Sequence, residues 1–442
     1  MNTTRRGLLA LGTATLAAPA ILHAQTTLAT LRGKTIVVNW PEVPHYIAAA
    51  AMIPDFTAAT GIKVELDRMQ YLRMHDKQVL ELSKAAGDYD VVPYVVTWKT
   101  EYVGRKFLEP LEPLMSGSLA DPAYDKADLV TGYLENVGLV GGPKGYLPGP
   151  GAQLYGIPFG AETSVLAYRT DIFEKYGLAP PRTYDAMLAA ARTIHEKEPG
   201  MGGLVSRGQA GQPIMHAWLL HFSPNGGVFF DDKWEPRFAE APGVRAAEIL
   251  RTIAEIGPPG TAAFGFGEML NAFLQGQSAM YLDTIAVFGP VKDPKASRIA
   301  GKVAYLPHPS AARASSETGG FGMAIPRNSV NKEAAFAFIQ WMTSKAQDKR
   351  LALAGGVASR SSTLRDADVL AKYPEYAVLP EALKIANPDW RPIIQEWGEI
   401  NEQIMGPVMS EIMTDKQQAK PALESLVPKV KAVMQRAGYY RA

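Results

Sequence analysis

The chain contains no cysteine. Disulfides, thiolate nucleophiles and Cys-ligated zinc or iron–sulfur centres are thereby excluded. Net charge is almost absent as well: 45 basic residues against 44 acidic ones leave +1 over 442 residues. That balance supplies no field to attract nucleic acid or an anionic membrane surface. Beyond the N-terminus no uncharged apolar run reaches the roughly 18 residues a spanning helix needs. Catalytic signatures are also missing. There is no P-loop, no G-x-S-x-G elbow and no H-E-x-x-H pattern. The histidines (His23, His45, His75, His195, His216, His221, His308) are scattered, and the spacing of His216 and His221 does not put them on one helix face. Ser329-Val330-Asn331-Lys332 matches S-x-x-K only formally, in a polar turn ahead of a helix. Acidic pairs occur no more than chance allows among 44 carboxylates. The expectation is a chain with no catalytic residues, no metal and no cofactor.

What is present begins with an export address. Paired arginines at Arg5-Arg6 precede an uncharged run from Leu8 to Leu22, and Ala24 offers a small residue at the cut. Residues 1–24 therefore read as a secretory signal of the twin-arginine type. Leu22 is a poor residue three before that cut, so cleavage after Ala20 is the alternative. No cysteine stands near the cut to take an acyl anchor, so the processed chain is expected to be free and soluble. With 47% hydrophobic and 20% charged residues it can bury cores of two or three domains.

The chain then alternates strands and helices. Lys34 to Trp40 is β-branched and ends at Pro41; Tyr46 to Thr60 has helical apolar spacing and stops at Gly61; Ile62 to Leu66 is a second strand. Tyr71 to Ala86 repeats the helical pattern up to Gly87, and Tyr89 to Val92 is a third strand. This order predicts an α/β fold with a helix-flanked, mostly parallel sheet. Residues 116–156 are rich in Gly, Pro and Asp and read as loop. Strand composition returns from Gly156 to Tyr168, and Thr183 is positioned to cap a helix after Pro180-Pro181. Further strands are expected at Ser278–Leu282, Lys302–Leu306 and Gly319–Pro326, and a helix at Lys332–Met342.

In open α/β sheets ligands bind beyond the carboxyl ends of strands. Trp40 and Tyr46 flank the loop after the first strand, and Tyr94 and Trp98 follow the third. Aromatic faces stack on the C–H faces of sugars or polyols, while carboxylates and guanidinium groups engage hydroxyls. Glu42, Glu162, Asp283, Arg360 and Arg391 lie in or beside turn-like segments. For each tryptophan the alternative is core packing, and for each charged residue a solvated surface position.

Several blocks carry a resemblance. Pro54-Asp55-Phe56, Thr60 to Val64, Gly87 to Val92 and Leu108-Glu109-Pro110-Leu111 are followed by Gly156-Ile157-Pro158-Phe159, Ala167 to Phe173 and Gly177 to Tyr184. Phe273 to Met280, Gly319 to Pro326, Ala334 to Ser344 and Gly355 to Arg360 complete the order. Together they resemble the sugar-binding proteins of ABC importers, the extracellular solute-binding family that includes maltose-binding protein. The resemblance implies two α/β lobes joined by a hinge: residues 25–154 plus 305–388, and 155–304 plus 389–442, with the chain crossing near 155, 305 and 388. A carbohydrate-like solute, sugar or polyol, would sit between the lobes. Glu42, Tyr94, Thr97 and Trp98 would face it from the first lobe, where Trp40 is a candidate from its place at the end of the first strand, and Glu162, Trp218 and Asp283 from the second. Gly320, Phe321, Arg360, Trp390 and Arg391 would lie near the cleft or hinge. The implied partner is an inner-membrane ABC permease, and the implied location the periplasm, as a monomer. Maltose-type members carry a charged pair after the third strand; Thr97-Trp98 here points to smaller sugars or polyols. The alternatives are an exported carbohydrate-active enzyme (a lyase or glycosidase) and a binding protein serving a chemoreceptor.

Overall fold

The computed structural model describes residues 28–440, so the signal sequence read at residues 1–24 lies outside the described part. Strand β1 (Thr35–Pro41) pairs in parallel with β2 (Lys63–Met69), Thr35 opposite Lys63. Between them the expected single helix is two, Pro44–Ala50 and Ile53–Thr60, each with a proline in its first turn. Pro54 has no backbone N–H to continue a ladder from the first helix, so the break falls there. Gly61 ends the second helix at φ +75°, its N–H bonded to Thr57 O at 2.8 Å, and the chain turns at once into β2.

Strand β3 (Val92–Val95) sits about three residues later than expected, because Val91 only bridges to Val38 of β1. A small antiparallel pair, β4 (Leu139–Val140) and β5 (Gln153–Leu154), closes the Gly/Pro-rich loop. The long strand β6 (Ile157–Arg169) ties the molecule together. Its first half pairs with β9 (Thr318–Ala324), up to Thr163 opposite Thr318, and β9 in turn pairs with β3. From Ser164 onward β6 pairs with β7 (Met280–Thr284) on one side and, one residue later, with β8 (Val303–Pro307) on the other.

The α/β class is as expected, but the strand directions are not. Among the described strand pairs only β1–β2 is parallel. The β-α-β series ends at β3, and the strands added later return antiparallel from distant sequence, which adjacent strand and helix patterns do not encode.

Each half of the sheet has its own apolar packing. Trp40, Tyr46, Phe56, Phe159, Ile325 and Phe338 form one core. Leu166, Phe173, Tyr184, Met187, Ile253 and Leu282 form another. Helix Tyr184–Lys197 in the second is capped as expected, Thr183 Oγ1 accepting from Ala186 N at 3.3 Å. A third cluster joins Trp218 and Phe222 to the C-terminal helices Gly406–Met413 and Ala419–Ala437, which pack on helix Ala241–Ile256. The segment before those helices is fixed to the loop around β4: Lys144 Nζ lies 2.7 Å from Asp389 Oδ2, and Tyr146 donates to Asp389 Oδ1 at 2.5 Å. Among the described residues no helix is long and apolar enough to cross a membrane.

Candidate functional site

A cavity of about 150 Å³ opens where β6 leaves β9 and joins β7. The carboxyl ends of β1, β2 and β3 form its rim, contributing Val43 to Tyr46, Tyr71 and Val95. Opposite them stand Phe266 and the turn after β7, Thr284 to Ala286. The backbone there is close-packed. Between Pro158 and Ala161 the β6–β9 register slips, and Gly160 takes φ +81°. Gly320, at φ +86°, faces it so closely that a Cβ would stand 2.3 Å from Gly160 O. Only glycine fits at residue 320.

The floor is charged and buried. Arg207 Nε and Nη2 donate to Asp283 Oδ2 and Oδ1 at 2.9 and 2.5 Å, a bidentate pair, with the guanidinium 4.9 Å over the Phe266 ring. Burial opposes the Arg207 charge, but the Asp283 carboxylate outweighs it and holds the group protonated. Arg391 lies 4.5 Å over the ring of Trp390, whose Nε1 donates to Thr318 O at 2.8 Å. Its Nε is buried without a partner, and its guanidinium forms no ion pair with another described residue. Burial lowers the Arg391 pKa to about 10, still above neutrality.

Glu162, on β6, has only a long 3.5 Å contact from Thr284 Oγ1, and burial pushes its carboxyl up to about 7. Glu317, just before β9, is pushed well above the carboxylate range by burial and then by Asp283 and Glu162; its Oε1 has no partner. His216, on helix Gln212–Phe222, is driven by burial well below its ordinary pKa and is neutral. Its Nε2 lies 3.2 Å from Glu317 Oε2, but the two do not align as a hydrogen bond. Tyr71 packs edge-on against Phe321 at 6.1 Å, and burial raises its hydroxyl pKa. His216, Asp283 and Glu317 each offer an atom within 4.8 Å of the others. They suit hydrogen bonding better than a metal ion, because both Asp283 oxygens are committed to Arg207 and two guanidinium groups stand beside them.

Of the residues singled out from sequence, Tyr46, Glu162, Gly320, Phe321 and Arg391 meet in this cavity wall. Asp283 stands behind it, paired to Arg207, and Trp390 lies beneath Arg391. The others are elsewhere. Trp40 is in the core, its Nε1 donating to Tyr46 O at 2.9 Å. Tyr94 is buried with its hydroxyl on Val137 O, and Trp218 stacks on Phe222 with Nε1 on Gly243 O. Arg360 is fully buried, donating to Thr343 O and Asp125 O under the face of Tyr124. Glu42 is exposed. Thr97 is half-buried outside the wall, and Trp98 packs on His75 and Tyr102 at centroid distances of 5.1 and 6.1 Å. None of Trp40, Glu42, Tyr94, Thr97, Trp98, Trp218 and Arg360 lines this cavity, so the cleft roles expected for them are not met there.

Sequence reasoning missed Tyr71, Arg207, His216, Phe266, Thr284 and Glu317. The strand-end rule that selected Trp98 also covers Tyr71, two residues past β2. Arg207 stands in a Gly-rich stretch, residues 200–211, where its type alone carries no site signal.

The profile of the bacterial extracellular solute-binding proteins matches residues 42–349. The chain belongs to that family. Being a solute-binding protein of an ABC transporter, it captures a small molecule and does not transform it, so the enzymatic alternative falls away. The "Mannitol-binding protein" of Pseudomonas aeruginosa is 29% identical over 390 residues, 83% of this chain and 85% of that one. A "Probable amino-acid ABC transporter periplasmic-binding protein" of Sinorhizobium fredii is 28% identical over 405 residues, 89% and 88% of the two chains. In three dimensions the solute-binding protein resembles a crystal structure of an ABC transporter solute-binding protein from Agrobacterium radiobacter in complex with ribitol. The TM-score is 0.82 at 25% identity, covering 91% of this chain and 99% of the other. The architecture is the family's two-lobe α/β fold.

Proposed function

We propose that the protein captures an uncharged polyol or small sugar in this cavity and delivers it to an inner-membrane ABC permease from the periplasm, as a monomer. The observation that carries the reading is the set of unpartnered buried polar groups on the floor. Arg391 Nε, Glu317 Oε1 and His216 Nε2 lack partners, and Glu162 is barely engaged. Buried polar atoms left unmet are costly, and a chain of hydroxyls, each both donor and acceptor, satisfies such a set. Phe266, Phe321 and Tyr71 add apolar faces for the carbon skeleton. The ligand contacts we assign are Tyr71, Glu162, Arg207, Thr284, Glu317, Phe321 and Arg391, with Asp283 and Trp390 holding the two arginines in place. The names of the Pseudomonas and Agrobacterium relatives point to polyols as well.

Capture is a hinge motion, in which ligand stabilises the closed form that a transporter recognises. The lobes we assign are 25–154 with 305–388, and 155–304 with 389–442. Two of the crossings between them, near 155 and 305, have support in the strand pairing: β6 switches from β9 to β7 after Thr163, and the chain passes from β8, paired with the second half of β6, to β9, paired with the first.

Ribitol and D-mannitol at a hundred times their dissociation constants are expected to stabilise the protein by about 2.7 kcal/mol, read as a rise in thermal midpoint. Stabilisation by amino acids alone, with no response to polyols or sugars, would overturn the assignment in favour of the chemistry named for the Sinorhizobium relative. Trp98→Ala is expected to change the D-mannitol affinity by less than about threefold, since the ring packs outside the cavity. A loss of tenfold or more in calorimetry would return Trp98 to the site.

A further inference from the structure

Resting on the polyol reading, we infer that the cavity floor keeps one shared proton on Glu162 and Glu317, and so selects uncharged polyhydroxylated solutes over those bearing a carboxylate or phosphate.

The charge count gives the reason. Carboxyl groups reach the floor from β6 (Glu162) and from the residue before β9 (Glu317), and Asp283 of β7 stands just behind it. Guanidinium groups reach it from the segment beside β7 (Arg207) and from the C-terminal segment (Arg391). His216 comes from helix Gln212–Phe222 and is neutral, and burial keeps the Tyr71, Tyr133 and Tyr281 phenols neutral as well. Lys99 stands behind Arg391, its ammonium turned to Asn136 O, Leu139 O and Tyr146 O outside the cavity lining, and burial lowers its pKa to about 7. Three carboxyls thus face two guanidinium groups at a cavity walled by Phe266, Phe288 and Phe321. Arg207 and Asp283 are a closed pair. Arg391 then faces two carboxyls, and one ionised carboxylate is enough to balance it. Asp283 and Glu317 bring oxygens within 4.8 Å of each other, so a third negative charge would be set close to an existing one with little water to screen it. The Glu162 value of about 7 and the strong rise at Glu317 run in the same direction.

A floor in this state presents both kinds of partner. The protonated carboxyl donates to a hydroxyl oxygen, while the ionised one accepts from a hydroxyl. A neutral solute leaves the count unchanged. An aldonate or a polyol phosphate adds a negative charge that must bring in a second proton or stay unbalanced. An amino-polyol adds a positive charge that replaces the shared proton and expels it.

The test is calorimetry of the full-length processed protein with three probes of one skeleton: D-mannitol, D-mannonate and 1-amino-1-deoxy-D-mannitol. At pH 7 D-mannitol is expected to bind at least about 100-fold more tightly than D-mannonate, like charge in a closed site being strongly disfavoured. D-mannonate should gain about tenfold per unit as pH falls, the slope of one added proton. Binding of the amine, measured in buffers of different ionisation enthalpy, should release close to one proton. Glu162→Gln or Glu317→Gln, whichever folds, removes the carrier of the shared proton, so binding of the amine should no longer release one, because an amide is neutral at every pH. Comparable affinity for D-mannitol and D-mannonate at pH 7 overturns the inference while leaving the polyol reading intact. Failure of every uncharged sugar and polyol to bind overturns that reading itself.

Discussion

Asp283→Ala is expected to destabilise the folded protein by about 3–5 kcal/mol, the cost of leaving a buried charge without its partner. Asp283 is 1% exposed, and both its oxygens receive the Arg207 guanidinium. Removing them strands Arg207 near Arg391, already short of hydrogen bonds, and orphans the Thr284 amide that donates to Asp283 Oδ1 at 2.8 Å. The change is read as a fall in the urea midpoint at pH 7. The double variant Arg207→Met with Asp283→Leu should recover most of the loss, because a buried ion pair replaced whole by apolar groups of similar volume is often neutral or stabilising. Equal destabilisation in the single and double variants would mean that the pair matters through shape and not charge.

Arg391→Met should act on binding and not on folding. The guanidinium forms no ion pair within the described chain, and methionine keeps the contact with Trp390. The neighbouring carboxyls can take up a proton when the positive charge goes. What is lost is a charged donor aimed into the cavity, and one or two hydrogen bonds to a charged group are worth about 1.5–3 kcal/mol each. D-mannitol affinity is therefore expected to fall by about two orders of magnitude, with the urea midpoint close to that of the parent. Undiminished affinity would remove Arg391 from the site; a collapsed midpoint would make it a structural residue.

Much of the secondary structure was legible because its signals are local. Gly61 at the end of Ile53–Thr60, Thr183 at the start of Tyr184–Lys197, and the helix Lys332–Met342 each follow from a few adjacent residues. The antiparallel return of β9 between β3 and β6 was not legible, since it joins residues more than a hundred positions apart in sequence. The site divides along the same line. Glu162, Phe321 and Arg391 could be singled out by type and turn position, and they do reach the cavity wall. Trp40 and Trp98 have the same credentials and do not reach it. A large ring at a strand's carboxyl end can turn inward as well as out, and Trp40 turns in, where Tyr46 O meets its Nε1. Glu317 and His216 carried no sequence signal, because what marks them is the missing partner of a buried atom, a property that exists only after folding.

The polar groups of the floor come from separate stretches of chain: β6, the segment at Arg207, the helix of His216, the end of β7, the approach to β9 and the segment at Arg391. Neither apolar core that backs the sheet includes these groups. A change in one of these stretches can retune which hydroxyl pattern is accepted without disturbing the scaffold that presents the rest. The ligand preference of such a protein can therefore drift stepwise over generations while its architecture stays put, so that chains superimposing closely need not share a cargo.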